Sequence, residues 1–209
     1  MFFLKKKDNT LSENKIIFFL HGYGSNAENI LSILEMFQSK RPQYHYCALQ
    51  APHFWPHDKF GFQWFPLPDI EGKGIIEGLK SSGGQLNQQI NMVLNEHGII
   101  PDNAIIAGFS QGGMMSLNCL YGDVKYAGIM SYSGGFFEYG KPLQNIPSLL
   151  IHGDQDQVVR IEQHLKSVQD LAMYSINFEQ HVIFGLDHSI DMSGILKGIE
   201  FIDKIFIEL

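Results

Sequence analysis

The sequence predicts an α/β fold: a mostly parallel central sheet with helices on both faces. Three observations carry this. Short apolar runs alternate along the chain with longer stretches of helical period. The runs are continuous rather than alternating, which suits strands covered on both sides. Most of them end in a glycine-bearing loop that leads into the next helix, the strand-then-helix rhythm of a parallel sheet. A chain of 209 residues suits one such domain. It is long enough to bury about 70% of its unfolded surface.

Taken in order, 16–20 (IIFFL) is the first strand and stops at His21-Gly22. A helix over 26–37 follows, with apolar residues at 30, 31, 33, 34 and 37. Residues 44–49 form the second strand. Residues 51–70 break the rhythm, with six aromatics, both tryptophans of the chain and four prolines. That is too much proline for a helix or a central strand, and too much Phe and Trp to be wholly solvated. A helix over 75–97 carries the stripe Leu79, Leu86, Ile90 and Val93. Gly83 falls on that stripe and Gly84 beside it, each costing about 1 kcal/mol against Ala. They predict either a close approach to the sheet or a break. The remaining strands are 104–107, 126–130, 148–151 and 177–184, and the remaining helices 112–120, 158–173 and 194–207. No repeat and no linker divides the chain.

Composition removes several functions. Charged residues make up 18%, against about 25% in an average protein. Fifteen Lys and Arg against 22 Asp and Glu leave a net charge of −7. The one basic run is Lys5-Lys6-Lys7, read as a solvated tail. Nucleic acid is therefore excluded as a partner, because phosphate binding needs a positive footprint. Cys47 and Cys119 both lie in apolar runs and read as buried free thiols. No apolar run approaches the 18 residues of a membrane helix. Phe2-Phe3-Leu4 precedes the lysines, the reverse of a signal peptide, so the expected location is cytoplasmic. His53 and His57 have a metal-ligand spacing for a helix, but Pro52 and Pro56 argue against one, so no metal is expected.

The strongest chemical signal is Gly108-Phe109-Ser110-Gln111-Gly112, a G-x-S-x-G with a strand run before it and a helical run after it. In that context the serine sits on a sharp strand-to-helix turn with its hydroxyl above the sheet. A serine hydroxyl needs an adjacent base. The loop after the last strand, Gly185-Leu186-Asp187-His188-Ser189, supplies His188. Of the other histidines, His21 and His152 each follow a strand, precede a glycine and read as loop-shaping residues. The orienting acid should lie on the loop His152-Gly153-Asp154-Gln155-Asp156, where spacing alone leaves Asp154 and Asp156 as alternatives. The order serine, aspartate, histidine is that of the α/β-hydrolase fold. Backbone N–H groups of Tyr23, in the loop after the first strand, and of Gln111, at the helix start, are the expected oxyanion donors.

HGYGSN at 21–26, GFSQGG at 108–113, HGDQD at 152–156 and GLDHS at 185–189 together resemble the carboxylesterase / phospholipase / acyl-protein thioesterase family of α/β-hydrolases. The resemblance runs from about residue 15 to the C-terminus. It implies Ser110 as nucleophile, His188 as base, Asp156 as the orienting acid and no cofactor. Gln63-Trp64-Phe65 resembles that family's Trp-Phe segment near the acyl pocket. Gln157 and Arg160 stand where the family usually has prolines, and Ser25 replaces a commoner aspartate. The expected activity is hydrolysis of carboxylic esters or thioesters of acyl chains through an acyl-enzyme. The alternatives are a lysophospholipase or small peptidase with the same three residues, or a binding module of the same fold. The expected partner is a small-molecule or lipid-like acyl ester held by Phe54, Trp55, Trp64 and Phe65, with 51–70 as lid or pocket wall. A transient membrane-surface contact and the oligomeric state stay open.

Overall fold

A computed structural model describes residues 2–5, 14–67, 73–140 and 143–207. In chain order the elements are β1 (Phe2–Lys5), β2 (Ile16–Leu20), α1 (Leu31–Lys40), β3 (His45–Leu49), β4 (His53–Phe54) and β5 (Phe62–Gln63). Then come α2 (Lys73–His97), β6 (Ala104–Phe109), α3 (Gln111–Asn118), β7 (Gly128–Tyr132) and β8 (Ser148–Gly153). The chain ends with α4 (Ile161–Met173), β9 (Phe178–Ile183) and α5 (Met192–Ile207). Seven strands form one sheet in the order β1-β3-β2-β6-β7-β8-β9. Only β1 runs antiparallel to its neighbour.

The continuous apolar runs are explained by two cores, one on each face. In β2, Ile16, Phe18 and Leu20 face a core built with α2, α3 and α4. Ile17 and Phe19 face the other, built with α1 and α5. All five are fully buried. At about 25 cal/mol per Å² of apolar surface removed from water, two-sided burial is what keeps such strands central. Cys47 and Cys119 are free and buried, and burial pushes both thiols up to about 12.

Several boundaries differ from expectation, each for a local reason. Residues 2–5 form strand β1, paired from Phe2↔Leu49 to Lys5↔Tyr46, so Lys5, the first residue of the expected tail 5–7, lies in the sheet. Lys6 and Lys7 lie outside the described residues. Helix α1 begins at Leu31, not 26, because the Asn26 side chain accepts the Asn29 N–H at 2.9 Å and makes a turn. Helix α4 begins at Ile161, not 158, because Arg160 is extended (φ −62°, ψ 152°) and breaks the helical run, leaving Val158 and Val159 in a turn whose N–H groups the Asp156 carboxylate accepts. Helix α2 runs unbroken through Gly83 and Gly84. The neighbour that Gly83 lets near is Asn118 of α3, 3.0 Å from where a Cβ would sit, rather than the sheet.

The aromatic segment is part hairpin. Strands β4 and β5 pair antiparallel, His53↔Gln63 and Phe54↔Phe62. Phe62 is also tied to the loop after β2: Gly24 N–H donates to Phe62 O, and Phe62 N–H to Ser25 O. Residues 68–70 of the segment lie outside the described residues.

Candidate active site

Strand β6 delivers Ser110 at its C-terminal end. Ser110 has φ 54° and ψ −119°, a left-handed backbone that a non-glycine residue occupies at a cost of about 1–3 kcal/mol. The turn is held by Ser110 N–H donating to Tyr132 O at 2.9 Å and by Met114 N–H returning to Ser110 O at 3.0 Å. Every residue of α3, from Gln111 to Asn118, is buried, so the turn has a rigid base.

Three loops bring the sequence-predicted residues together. Ser110 Oγ lies 2.9 Å from His188 Nε2, and His188 Nδ1 lies 2.7 Å from Asp156 Oδ2. The carboxylate can only accept from Nδ1–H, which leaves Nε2 to accept the Ser110 hydroxyl proton. Asp156 is 2% exposed, and its Oδ1 accepts Val158 N–H and Val159 N–H, both at 2.9 Å. The Phe109 ring packs on the His188 ring with centroids 4.8 Å apart.

Asp154, the other acid that spacing left open, does not reach the imidazole. Its Oδ1 accepts the Gly185 N–H at 2.6 Å, and Gln155 N–H donates to Leu186 O. It ties the acid loop to the histidine loop.

The loop after β2 is organised by His21, which is fully buried. Its Nδ1–H donates to Gly22 O at 2.8 Å, and its Nε2 accepts Ala51 N–H at 3.1 Å. Both nitrogens are thereby used by a neutral ring. Burial lowers its pKa to about 4. Gly22 O also accepts Ser25 N–H. A trans peptide sets C=O and N–H in opposite directions, so pinning this carbonyl also aims the Tyr23 N–H. The Gln111 N–H is the first of α3 and has no partner within its own helix.

The four aromatics expected at an acyl site separate into two pairs. Trp64 and Phe65 are each 1% exposed and belong to the core, presenting almost no surface to a ligand. Trp64 Nε1–H donates to His21 O at 2.9 Å. Phe54 is 70% exposed and lines an open hollow of about 460 Å³ with Pro52, Phe60 and Phe62. Trp55 is half-buried and meets the Tyr23 ring edge-on, centroids 5.8 Å apart.

Sequence reasoning missed the Gln111 side chain. Its Oε1 accepts Trp64 N–H at 2.9 Å, and its Nε2 donates to Phe65 O at 2.8 Å. One amide thus clamps the Trp64-Phe65 backbone against the turn that carries Ser110. A long amide at a fully buried helix start, opposite a loop short of regular pairing, was the available signal.

A parallel sheet with a serine on its strand-to-helix turn, followed in chain order by an aspartate and a histidine, defines an α/β-hydrolase. Comparison with known proteins narrows this. Residues 6–206 match the phospholipase/carboxylesterase family, and the chain belongs to it. A relative in Dictyostelium discoideum, acyl-protein thioesterase 1 homolog 1, is 27% identical over 206 residues, spanning 90% of this chain and 89% of that protein. Acyl-protein thioesterase 1 of Yarrowia lipolytica is 27% identical over 207 residues, spanning 88% of this chain and 90% of its own. Among solved structures, esterase PE8 superposes with a TM-score of 0.89 at 25% identity over 97% of both chains. The Bacillus cereus carboxylesterase, at 19% identity and a TM-score of 0.81 over 98% of this chain and 94% of its own, shares the fold. The protein is a hydrolase of ester bonds.

Proposed function

We propose that this protein hydrolyses esters and thioesters of apolar acyl chains through an acyl-enzyme on Ser110. The observation that carries the reading is the chain of contacts from Ser110 Oγ to His188, 2.9 Å, and from His188 to Asp156, 2.7 Å. Ser110 Oγ attacks the carbonyl carbon as His188 Nε2 takes its proton. The tetrahedral oxyanion is received by the N–H groups of Tyr23 and Gln111, fixed donors that need no reorganisation as charge develops. His188 returns the proton to the departing alkoxide or thiolate, leaving the acyl group on Ser110. Water then attacks the acyl carbon and passes a proton to Nε2, and the serine is regenerated. Asp156 holds the imidazole in the Nδ1–H tautomer and opposes its positive charge when it is protonated.

The apolar preference is supported by the exposed Phe54 and Phe60 of the hairpin and by Trp55 against Tyr23. Trp64 and Phe65 back that wall from the core. The relatives named as acyl-protein thioesterases favour thioesters within the range. Among the described residues no helix is long and apolar enough to cross a membrane. We place the activity in the cytoplasm, where buried free thiols such as Cys47 and Cys119 stay reduced.

The test is a chain-length series of chromogenic esters and thioesters with lysophospholipids and peptide amides as competitors. Turnover should rise with acyl length and vanish in Ser110→Ala, together with labelling by a fluorophosphonate probe. Turnover retained by folded Ser110→Ala would sink the reading.

A further inference from the structure

His152 takes no part in the contacts from Ser110 to Asp156, yet it stands at their far end. It is 1% exposed. Its Nε2 lies 2.6 Å from Val159 O and 3.3 Å from Asp156 Oδ2. Both neighbours are acceptors, so Nε2 carries the ring proton and donates it to Val159 O. Nδ1 is then left with a lone pair, buried, and finds no hydrogen-bond partner among the described residues. The titratable groups facing the ring are Asp156 and His188 on the site's side and His164 of α4, whose ring centroid is 5.2 Å away. Burial lowers the pKa of His152, so it is a neutral donor. A buried polar atom without a partner is uncommon and calls for an explanation. An aliphatic side chain would fill the space without that cost.

We infer that His152 is a positioning residue for Asp156, setting the carboxylate through the backbone of Val159. The inference rests on the proposed reading of Asp156 as the orienting acid. The Val159 carbonyl is held by His152, and the same residue's N–H donates to Asp156 Oδ1 at 2.9 Å. The ring's N–H edge also faces Oδ2, the oxygen that accepts the hydrogen bond from His188 Nδ1–H. One ring therefore braces both ends of the carboxylate. The loop needs a brace because residues 154–160 contain no proline to fix their backbone.

Two substitutions separate this role from mere packing. In His152→Gln the amide nitrogen reaches the Nε2 position and can still donate to Val159 O. In His152→Asn it reaches only the Nδ1 position. Steady-state hydrolysis of a short-chain chromogenic ester should show kcat lowered about 10-fold or more in His152→Asn and less than about 3-fold in His152→Gln, with KM nearly unchanged in both, as for lost transition-state support. In an Asp156→Ala background neither should cost more than about 2-fold, because the effect passes through that carboxylate. The proton NMR signal of His188 Nδ1–H should move in His152→Asn and stay in His152→Gln. Thermal unfolding of each variant reports its fold. Equal kcat in the two variants, or a His152→Asn loss repeated in full without Asp156, would overturn the inference. If Asp156→Ala alone kept its kcat, the failure would lie with the reading of Asp156.

Discussion

Acid should destabilise this protein earlier than its carboxylates require, and His21 should be a main cause. Its ring is fully buried and its pKa is lowered from 6.5 to about 4 by burial. Between these values the unfolded chain binds a proton that the folded one does not. Stability therefore rises with pH across that window and is lost as pH falls towards 4. The lowering is worth about 3 kcal/mol in full, and about 2 kcal/mol of it is lost between pH 7 and pH 5. Midway, near pH 5, the slope from this one residue is about 1 kcal/mol per pH unit. The assay is urea unfolding at steps between pH 4.5 and 7.5, for the native chain and for His21→Asn. The asparagine amide can still donate to Gly22 O but does not titrate. The variant will be less stable throughout, since it loses the bond from Ala51 N–H. What matters is that its pH slope should be shallower than the native one by about the amount given. Parallel curves for the two proteins would refute the argument, because the missing protonation could not then belong to His21. His152 and His164, also lowered by burial, act in the same direction but are common to both proteins.

Other outcomes follow from single contacts. Asp156→Asn should lower kcat by about 10⁴, by analogy with other triads, while Asp154→Asn should cost less than about 10-fold; steady-state kinetics giving the reverse ranking would reassign the acid. Gln111→Leu strands the Trp64 N–H and the Phe65 carbonyl, and should reduce unfolding free energy in urea by about 2–4 kcal/mol. Gly112→Ala would place a Cβ 2.1 Å from Leu20 O, and should cost about 3 kcal/mol or more, or leave no soluble protein. Gly84→Ala meets nothing within 4 Å in mid-helix, and should raise the melting temperature through about 0.5–1 kcal/mol of gained stability.

The parts of the fold legible in the sequence are those where one physical requirement covers many residues. Strands buried on both faces must be continuously apolar, so β2, β3, β6 and β8 could be read within two residues of their bounds. The serine and histidine of the candidate site could be read because a strained turn and a post-strand loop leave local marks. Asp154 against Asp156 could not. Both are acidic, both lie on the right loop, and the difference is only where each side chain turns. The structure sends Asp154 to the Gly185 N–H and Asp156 to His188. Strands β4 and β5 were illegible for another reason. Two residues each show no period, and the pairing depends on loop contacts with Gly24 and Ser25, far away in sequence. The first strand was hidden by length as well, since its four residues run into the lysines at 5–7, which read as tail. The Gln111 clamp is masked by its motif, which marks the residue by its backbone N–H and carries no mark of what the side chain holds.

The glycines around the site sharpen what that backbone is for. Glycine makes up 21 of the 209 residues, above the usual share of about 7%, and such an excess suggests chain that comes close to a substrate. At two of the tightest places the close neighbour is instead another loop of the protein itself. A Cβ on Gly112 would meet Leu20 O at 2.1 Å and His21 O at 2.7 Å. One on Gly153 would meet Leu186 O at 2.1 Å and Asp187 O at 2.8 Å. The first pair presses the Ser110 turn onto the loop that carries Tyr23. The second presses the Asp156 loop onto the loop that carries His188. Each proposed partnership in the site, nucleophile turn with oxyanion loop and acid with base, is thus set by backbone meeting backbone at a glycine. Side-chain hydrogen bonds can be rebuilt by neighbouring atoms or water when one member is lost, whereas a backbone separation of this kind cannot widen for a methyl group without moving a whole strand end. Tolerance to substitution at the site should follow that order. Polar side chains such as Gln111 and Asp154 should yield folded, weakened proteins, and Gly112 and Gly153 should yield the failures. A scan in which alanine at the two glycines proved milder than at the two polar residues would show that the loops are positioned by their hydrogen bonds after all.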